Sequence, residues 1–381
     1  MKHKELMLII IMLALIFPAC HKSTYVPKED MTFNIEDGAP QGDSMGRMSY
    51  DDCPYMTNVI CSGNNQDIYI ITAMGQYKID LSKECYSYLC TKLECEHDNS
   101  DCEMCEVKFG IKCYRDGIVF ARGRNVYYRE ADGKTTKLFT NNYTTDYANE
   151  YESDPYAIYS IIFINENTVL LTGINYTFTY NLETGATGEL IKITDSRNNG
   201  YTYLNGKLYS SVNGGKLFVT DLTTGKSKEL AEQGINVKTY KDGIVYCKWN
   251  EGVCNIYFNN QDFSNEQLII KNACPNFLVY EGNILWIEDN VIYAYDEQGV
   301  KCLCDTNDVE YEYAKLPLEF QNDDINLPDA KLNYCLDFYY EQGKLYMELV
   351  FDVYNEEGYQ RQFSAFYVLD EKGELRVLEM I

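Results

Sequence analysis

Residues 205–225 read NGKLYSSVNGGKLFVTDLTTG, and the fold follows from this stretch. Asn205-Gly206 is a tight-turn dipeptide standing directly before the run at Leu208-Tyr209, the pattern by which a turn feeds a strand. A second apolar run follows at Lys216-Leu217-Phe218-Val219-Thr220, then Asp221-Leu222 and the Thr224-Gly225 turn. The unit is two antiparallel strands bracketed by turns. It returns at Asp116-Gly117-Ile118-Val119-Phe120 and at Asp242-Gly243-Ile244-Val245-Tyr246.

Further copies lie on either side. Ile68-Tyr69-Ile70 is followed by Tyr77 to Leu81, Val169-Leu170-Leu171 by Phe178 to Leu182, Ile284-Leu285-Trp286 by Val291 to Asp296, and Leu345-Tyr346 by Phe366 to Asp370. That makes seven units. Between equivalent positions the steps are 51, 39, 36 and 40 residues from Ile118 through Val169, Leu208 and Ile244 to Ile284. Such spacings suit a four-stranded blade of roughly 40 to 50 residues. The sequence therefore predicts an all-β fold, a β-propeller of about seven blades, with six or eight as the neighbouring counts. A pair of sandwiches and a β-solenoid are the competing all-β arrangements. The long gap from Ile284 to Leu345 leaves room for a degenerate unit, and its acidic, Pro-bearing stretch from Tyr311 to Ala330 reads as an insertion loop on one face.

Composition agrees. The chain has 381 residues, 45% of them hydrophobic, with 35 Tyr against 2 Trp, and aromatic and β-branched residues favour sheet. Its formal charge of -25, with pI near 4.5, argues against a nucleic-acid partner, because binding phosphates needs clustered Lys and Arg.

Residues 1–20 stand apart. Lys2 and Lys4 precede an apolar run from Leu6 to Phe17, and Ala19-Cys20 follows. A dozen apolar residues fall short of the roughly 20 that span a bilayer, so the segment reads as a secretory signal. The small residue before Cys20 resembles the lipobox of bacterial lipoproteins, although Phe17 and Pro18 depart from its usual form. The resemblance implies cleavage before Cys20 and lipidation of Cys20, with palmitate among its acyl groups. The expected address is the extracytoplasmic face of the cell membrane. Residues 21–52 are polar and aperiodic, and read as a flexible tether. The propeller is expected over 53–381.

Six cysteines, Cys85, Cys90, Cys95, Cys102, Cys105 and Cys113, fall within 29 residues, and His97 lies among them. Cys90, Cys95, His97 and Cys102 offer three thiolates and an imidazole at loop spacing, the donor set of a structural zinc. Asp98 and Asp101 are available to orient them. Three disulfides, or six thiols, are equally compatible with the spacing. In each case the expected role is to pin an insertion over 85–113. Cys247, Cys254, Cys302, Cys304 and Cys335 lie in or beside strand patterns and read as core fillers, with Cys302 and Cys304 on one face of an extended strand.

The lipobox-like start, one β unit, then LCTKLECEHDNSDC from Leu89 to Cys102, then further β units resembles a group of surface lipoproteins of Gram-positive anaerobes. That group pairs a Cys-x4-Cys-x-His-x4-Cys stretch with a propeller of the TolB-like or low-density-lipoprotein-receptor-like kind. The resemblance implies this fold and a surface location, and carries no activity. Glu94 stands where the group commonly has Pro, which removes none of the four ligands.

Catalytic schemes can be tested by counting. Ser-His-Asp and Cys-His mechanisms need an imidazole, and His97 is the one His outside the signal and tether, since His3 and His21 lie within them. No Gly-rich phosphate loop or calcium loop is present, and no spacing marks a carboxylate pair. The leading expectation is a non-enzymatic binding or scaffold module for a protein or cell-envelope component, with no cofactor beyond a structural zinc. Two alternatives stay open: a carbohydrate-binding surface using Tyr faces, and a carboxylate-dependent hydrolase at the channel mouth.

Overall fold

The computed structural model describes residues 60–381 except 64–66, 72–75, 91–108, 144–155, 194–200, 310–330 and positions 213–214, 233, 251–252, 274–276, 281, 297, 308, 342, 356–357 and 371. The expected signal and tether, residues 1–52, lie outside the described residues. Among those described, twenty-nine strands form seven separate sheets, each built on four consecutive antiparallel strands in chain order. Blade 1 is β1 (Ile60–Gly63), β2 (Asp67–Ile71), β3 (Gln76–Asp80) and β4 (Cys85–Tyr88), and blade 2 is β5 (Phe109–Tyr114), β6 (Gly117–Arg122), β7 (Asn125–Arg129) and β8 (Thr135–Thr140). Blade 3 is β9 (Ser160–Asn165), β10 (Thr168–Thr172), β11 (Tyr176–Asn181) and β12 (Ile191–Lys192). Blade 4 is β13 (Tyr201–Leu204), β14 (Lys207–Val212), β15 (Lys216–Asp221) and β16 (Ser227–Ala231), and blade 5 is β17 (Gly234–Tyr240), β18 (Gly243–Asn250), β19 (Val253–Asn260) and β20 (Gln267–Ile270). Blade 6 is β21 (Phe277–Tyr280), β22 (Asn283–Glu288), β23 (Val291–Asp296) and β24 (Gly299–Asp305). Blade 7 is β25 (Lys331–Glu341), β26 (Lys344–Asn355), β27 (Gly358–Leu369) and β28 (Leu375–Val377), and β29 (Glu379–Met380) ends the chain.

The first strands of blades 1 to 6 touch one another in series, which puts them at the centre and the fourth strands outside. The protein is a seven-bladed β-propeller. The Ile284–Leu345 gap hides no eighth unit among the described residues: it is filled by β23, β24, a long connection and β25.

Radial sheets bury both of their faces. Seven buried apolar clusters result, one at each seam; Val119 and Ala121 meet Leu171 and Phe178 between blades 2 and 3, for example. This is why the second strands read as continuous apolar runs: in β6 every residue from Gly117 to Ala121 is buried. Outer strands such as β16 are polar and largely exposed. Eleven buried Tyr belong to these seams. In such a position the ring fills the seam and the hydroxyl reaches the next blade, as that of Tyr114 does to Asn167 Oδ1 at 2.8 Å and that of Tyr180 to the Leu138 carbonyl at 3.0 Å.

The repeated turn phrase takes two physical forms. Asn205 and Gly206 are themselves the two turn residues, with φ of 49° and 78°, as a type I′ turn requires. In the Asp-Gly copies the register is offset by one. There the turn residues are Arg115-Asp116 and Lys241-Asp242, and Gly117 and Gly243 open the strands, paired with Tyr114 and Tyr240. Gly is required because a Cβ on Gly117 would run into the Arg129 carbonyl, and one on Gly243 into that of Asn259. The Asp or Asn at or just after the end of most third strands also has a cause. Asp221 Oδ1 accepts the N–H groups of Thr223 and Thr224 at 2.9 and 2.8 Å, and Asp80, Asn181 and Asp370 close their turns in the same way.

The ring is closed by the C-terminus. After β28 the chain leaves the edge of β27, buries Leu378, and runs as β29 parallel to β4, with Ile381 N–H donating to the Tyr86 carbonyl at 2.9 Å. Beside it, Glu84 accepts from Lys344 at 2.6 Å and from Arg376 at 2.6 and 3.3 Å, joining blade 1 to blade 7 by charge.

Candidate interaction face

Antiparallel order within each blade gives the disc two unlike faces. One face carries the turns between first and second and between third and fourth strands, the tight turns described above. The other carries the turns between second and third strands together with every connection from one blade to the next. These connections differ greatly in length: 232–233 between blades 4 and 5 is short, whereas 89–108, 141–159 and 306–330 are long. All three of the long ones are strongly acidic: residues 89–108 hold Glu94, Glu96, Asp98, Asp101, Glu103 and Glu106 against Lys92 and Lys108. Residues 144–155 hold Asp146, Glu150, Glu152 and Asp154 with no Lys or Arg, and 310–330 holds six Asp and Glu with Lys315 as its single base. The stretch from Tyr311 to Ala330 therefore belongs to a connection rooted on this face, while its own residues lie outside those described. Ile60 begins an inner strand on the same face, so residues 1–59 also join the disc there.

Of the four ligands expected for zinc, Cys90 is described; Cys95, His97 and Cys102 lie outside the described residues, as does Cys20. Cys90 is buried with Leu89, Ile111, Ile118 and Phe120 at the seam of blades 1 and 2, and Cys113 packs against that cluster. Cys85 and Cys113 are strand residues, in β4 and β5. Among the described residues no group of three His, Cys, Asp or Glu comes together to hold a metal.

Cys247, Cys254, Cys304 and Cys335 are buried core residues, as expected. Cys302 is exposed, and the expectation that it shares a face with Cys304 fails. A bulge between them pairs Cys302 with Tyr293 and Cys304 with Ile292, adjacent residues that point to opposite sides of the sheet. Burial, with Cys302 and Asp305 nearby, pushes the Cys304 thiol up to about 11, so it stays protonated and inert.

Two polar clusters sit at seams. In blade 5, Glu266 accepts from the Tyr246 hydroxyl and from Lys248 Nζ at 2.6 Å, and Lys248 lies 4.8 Å from the Tyr257 ring centroid. Phe263, at φ 58°, stacks between Tyr209 and Tyr246 with centroids 6.2 and 6.0 Å apart. In blade 6, the half-buried Glu288 precedes a turn of two left-handed residues, Asp289 and Asn290. Neither cluster was legible in the sequence, because each depends on which strand ends meet.

No family model matches the chain, and no curated protein matches it. Solved structures do. BamB from Moraxella catarrhalis is 12% identical, with 76% of this chain and 81% of that chain covered and a TM-score of 0.42. A quinoprotein alcohol dehydrogenase-like protein from Bacteroides thetaiotaomicron is 15% identical, with 82% and 76% covered and a TM-score of 0.46. The extracellular domain of a putative hybrid two-component system from B. thetaiotaomicron is 9% identical, with 84% and 51% covered and a TM-score of 0.48. The likeness is one of fold.

Proposed function

We propose that the chain is an extracytoplasmic binding or scaffold module of the surface-lipoprotein kind, held at the membrane through Cys20 and engaging a protein or cell-envelope component through its connection face. One observation carries this reading: the three long connections, all strongly acidic, are rooted on one face, while the opposite face carries the turns within blades. Loops on a rigid scaffold are where recognition resides. The acid favours a partner with a basic surface, and it opposes close approach to anionic lipid. About 40 residues lie between Cys20 and Ile60; as a flexible chain they span roughly 35 Å, enough for the disc to turn its root face outward.

Eleven of the 35 Tyr are buried in the seams, which supports packing as the role of those rings. Cys90, Cys95, His97 and Cys102 are proposed to pin the connection between β4 and β5, by zinc or by disulfides formed with their neighbours. Metal analysis and thiol titration on protein prepared without air separate these. One zinc lost in His97→Ala supports ligation, and neither metal nor thiols supports disulfides.

The functional test is cross-linking on intact cells with the full chain and with a variant carrying Asn or Gln at Asp146, Glu150, Glu152 and Asp154. Loss of a defined partner in the variant supports the connection face. A partner that is retained there but lost on altering turn-face residues such as Lys83 and Lys134 overturns it.

A further inference from the structure

In six of the seven blades, outer pairing or backbone bonds run along most of the third strand. Blade 7 differs. Its third strand, β27, has 12 residues where the other third strands have 5 to 8, yet β28 pairs only with Tyr367, Val368 and Leu369. Leu378 N–H then donates to the Phe366 carbonyl at 2.7 Å, and the chain crosses to β4 as β29. Gly358 to Ala365, the part of β27 toward the connection face, has no outer neighbour among the described residues.

The backbone of this edge is set to pair. Because Leu378 bonds to Phe366, even-numbered residues of β27 turn their backbone groups outward, and the register against β26 is regular from Leu345 to Val353, so Ser364 and Gln362 are next in the same row. Phe363 and Ala365 turn theirs inward to β26. The strand is firmly held, with Phe363 and Ala365 in the core shared with blade 6 and Phe366 in the core shared with blade 1. Sheet edges are commonly blunted by charge or Pro. Residues Gly358 to Ala365 include no Pro and no acid, and Arg361 is their single base.

The register also defines what fits. In β28, Leu375 and Val377 pack on the blade 6 side, whereas Arg376 turns to blade 1 and donates to Glu84 at 2.6 Å. Continued along β27, this pattern places apolar residues opposite Phe363 and Ala365 and basic ones opposite Gln362 and Ser364, on the face where β26 carries Glu348 and Asp352. Ser364 and Asp352 are half-buried there. The chain's own end has the reverse pattern: in the same register Glu379 would stand opposite Ala365, on the apolar side, and it pairs with Cys85 of β4 instead.

We propose that the open edge of β27 takes an extended segment of a partner protein as its missing outer strand, a segment in which apolar and basic residues alternate. This rests on the connection-face reading and deepens it, since main-chain bonds supply affinity and the alternation selects the partner. The net charge of -25 and the acidic connections on the same face attract such a segment and oppose pairing with a second copy of the chain.

The experiment is amide hydrogen exchange on the full chain with and without a peptide of alternating Val and Lys. Alone, Gln362 and Ser364 are expected to exchange near their intrinsic rates while Phe363 and Ala365 are protected. With the peptide at about ten times its Kd, Gln362 and Ser364 gain about tenfold in protection. A peptide of alternating Val and Glu gives no gain, nor does the Val-Lys peptide N-methylated along its pairing edge. Gln362→Pro, which removes an outward N–H and leaves the bonds to β26 in place, weakens binding about tenfold and leaves the Ile381 amide unchanged. Protection of Gln362 and Ser364 in the chain alone means that its own tether or a second copy already holds the edge, and overturns the proposal. No gain from the Val-Lys peptide, or an equal gain from either control peptide, overturns it too. A cross-linked partner lost in the acidic-connection variant but retained in Gln362→Pro overturns the edge alone and leaves the connection face standing.

Discussion

Replacing Glu84 with Gln removes one negative charge from the seam between blades 7 and 1, which the C-terminal strand β29 closes. Glu84 accepts from Arg376 at 2.6 and 3.3 Å and from Lys344 at 2.6 Å, and these two partners hold its carboxyl down at about 2, from an ordinary 4.5. A depression of that size corresponds to about 3 kcal/mol if solvent were excluded. The side chains are 25%, 30% and 44% exposed for Glu84, Lys344 and Arg376, so screening reduces the contribution to about 1–2 kcal/mol. Because the folded value lies below the unfolded one, this stability is present above pH 4.5 and is lost as pH falls toward about 2. Thermal unfolding of Glu84→Gln at neutral pH should therefore come a few degrees below that of the unaltered chain, roughly 2–4 °C per kcal/mol for a domain somewhat smaller than this one. The gap should narrow steadily below pH 4.5, and exchange at the Ile381 amide should quicken. An unchanged midpoint at neutral pH, or a gap that persists undiminished in acid, would refute the argument that this triad closes the ring.

Three further outcomes are expected. Gly117→Ala should cost about 2–4 kcal/mol in denaturant unfolding, since its Cβ meets the Arg129 carbonyl, whereas Gly206→Ala, in open space at φ 78°, should cost about 1–2 kcal/mol of backbone strain alone. Phe263→Gly should be more stable than Phe263→Ala by about 1 kcal/mol, because both lose the stack on Tyr209 and Tyr246 but only Gly relieves φ 58°; the reverse order would show that the turn is not strained. Cys20→Ala should move the chain out of the membrane fraction, and retention there would overturn lipid anchoring at that residue.

Much of this architecture is written in local chemistry. A turn dipeptide before a β-branched run, a second run, and an Asp or Asn whose oxygen closes the next turn are adjacent in the chain, so the repeat can be read from stretches such as 205–225 and counted at about seven, while the choice of seven over six or eight came from the sheets themselves. Continuous apolar runs in place of alternation likewise report sheets buried on both sides. What no local pattern contains is anything set by neighbours far apart in sequence. The bulge that sends Cys302 and Cys304 to opposite faces depends on how β24 meets β23, and the Glu84 triad joins residues that are 260 and 292 positions apart. The proton affinity of Glu288 arises from burial at a seam, which one strand cannot create alone. Neighbouring residues were enough to specify the blade and to bring its number to about seven; the closing of the ring decided the final count and which faces, charges and thiols meet, because desolvation and Coulomb forces act through space and not along the chain.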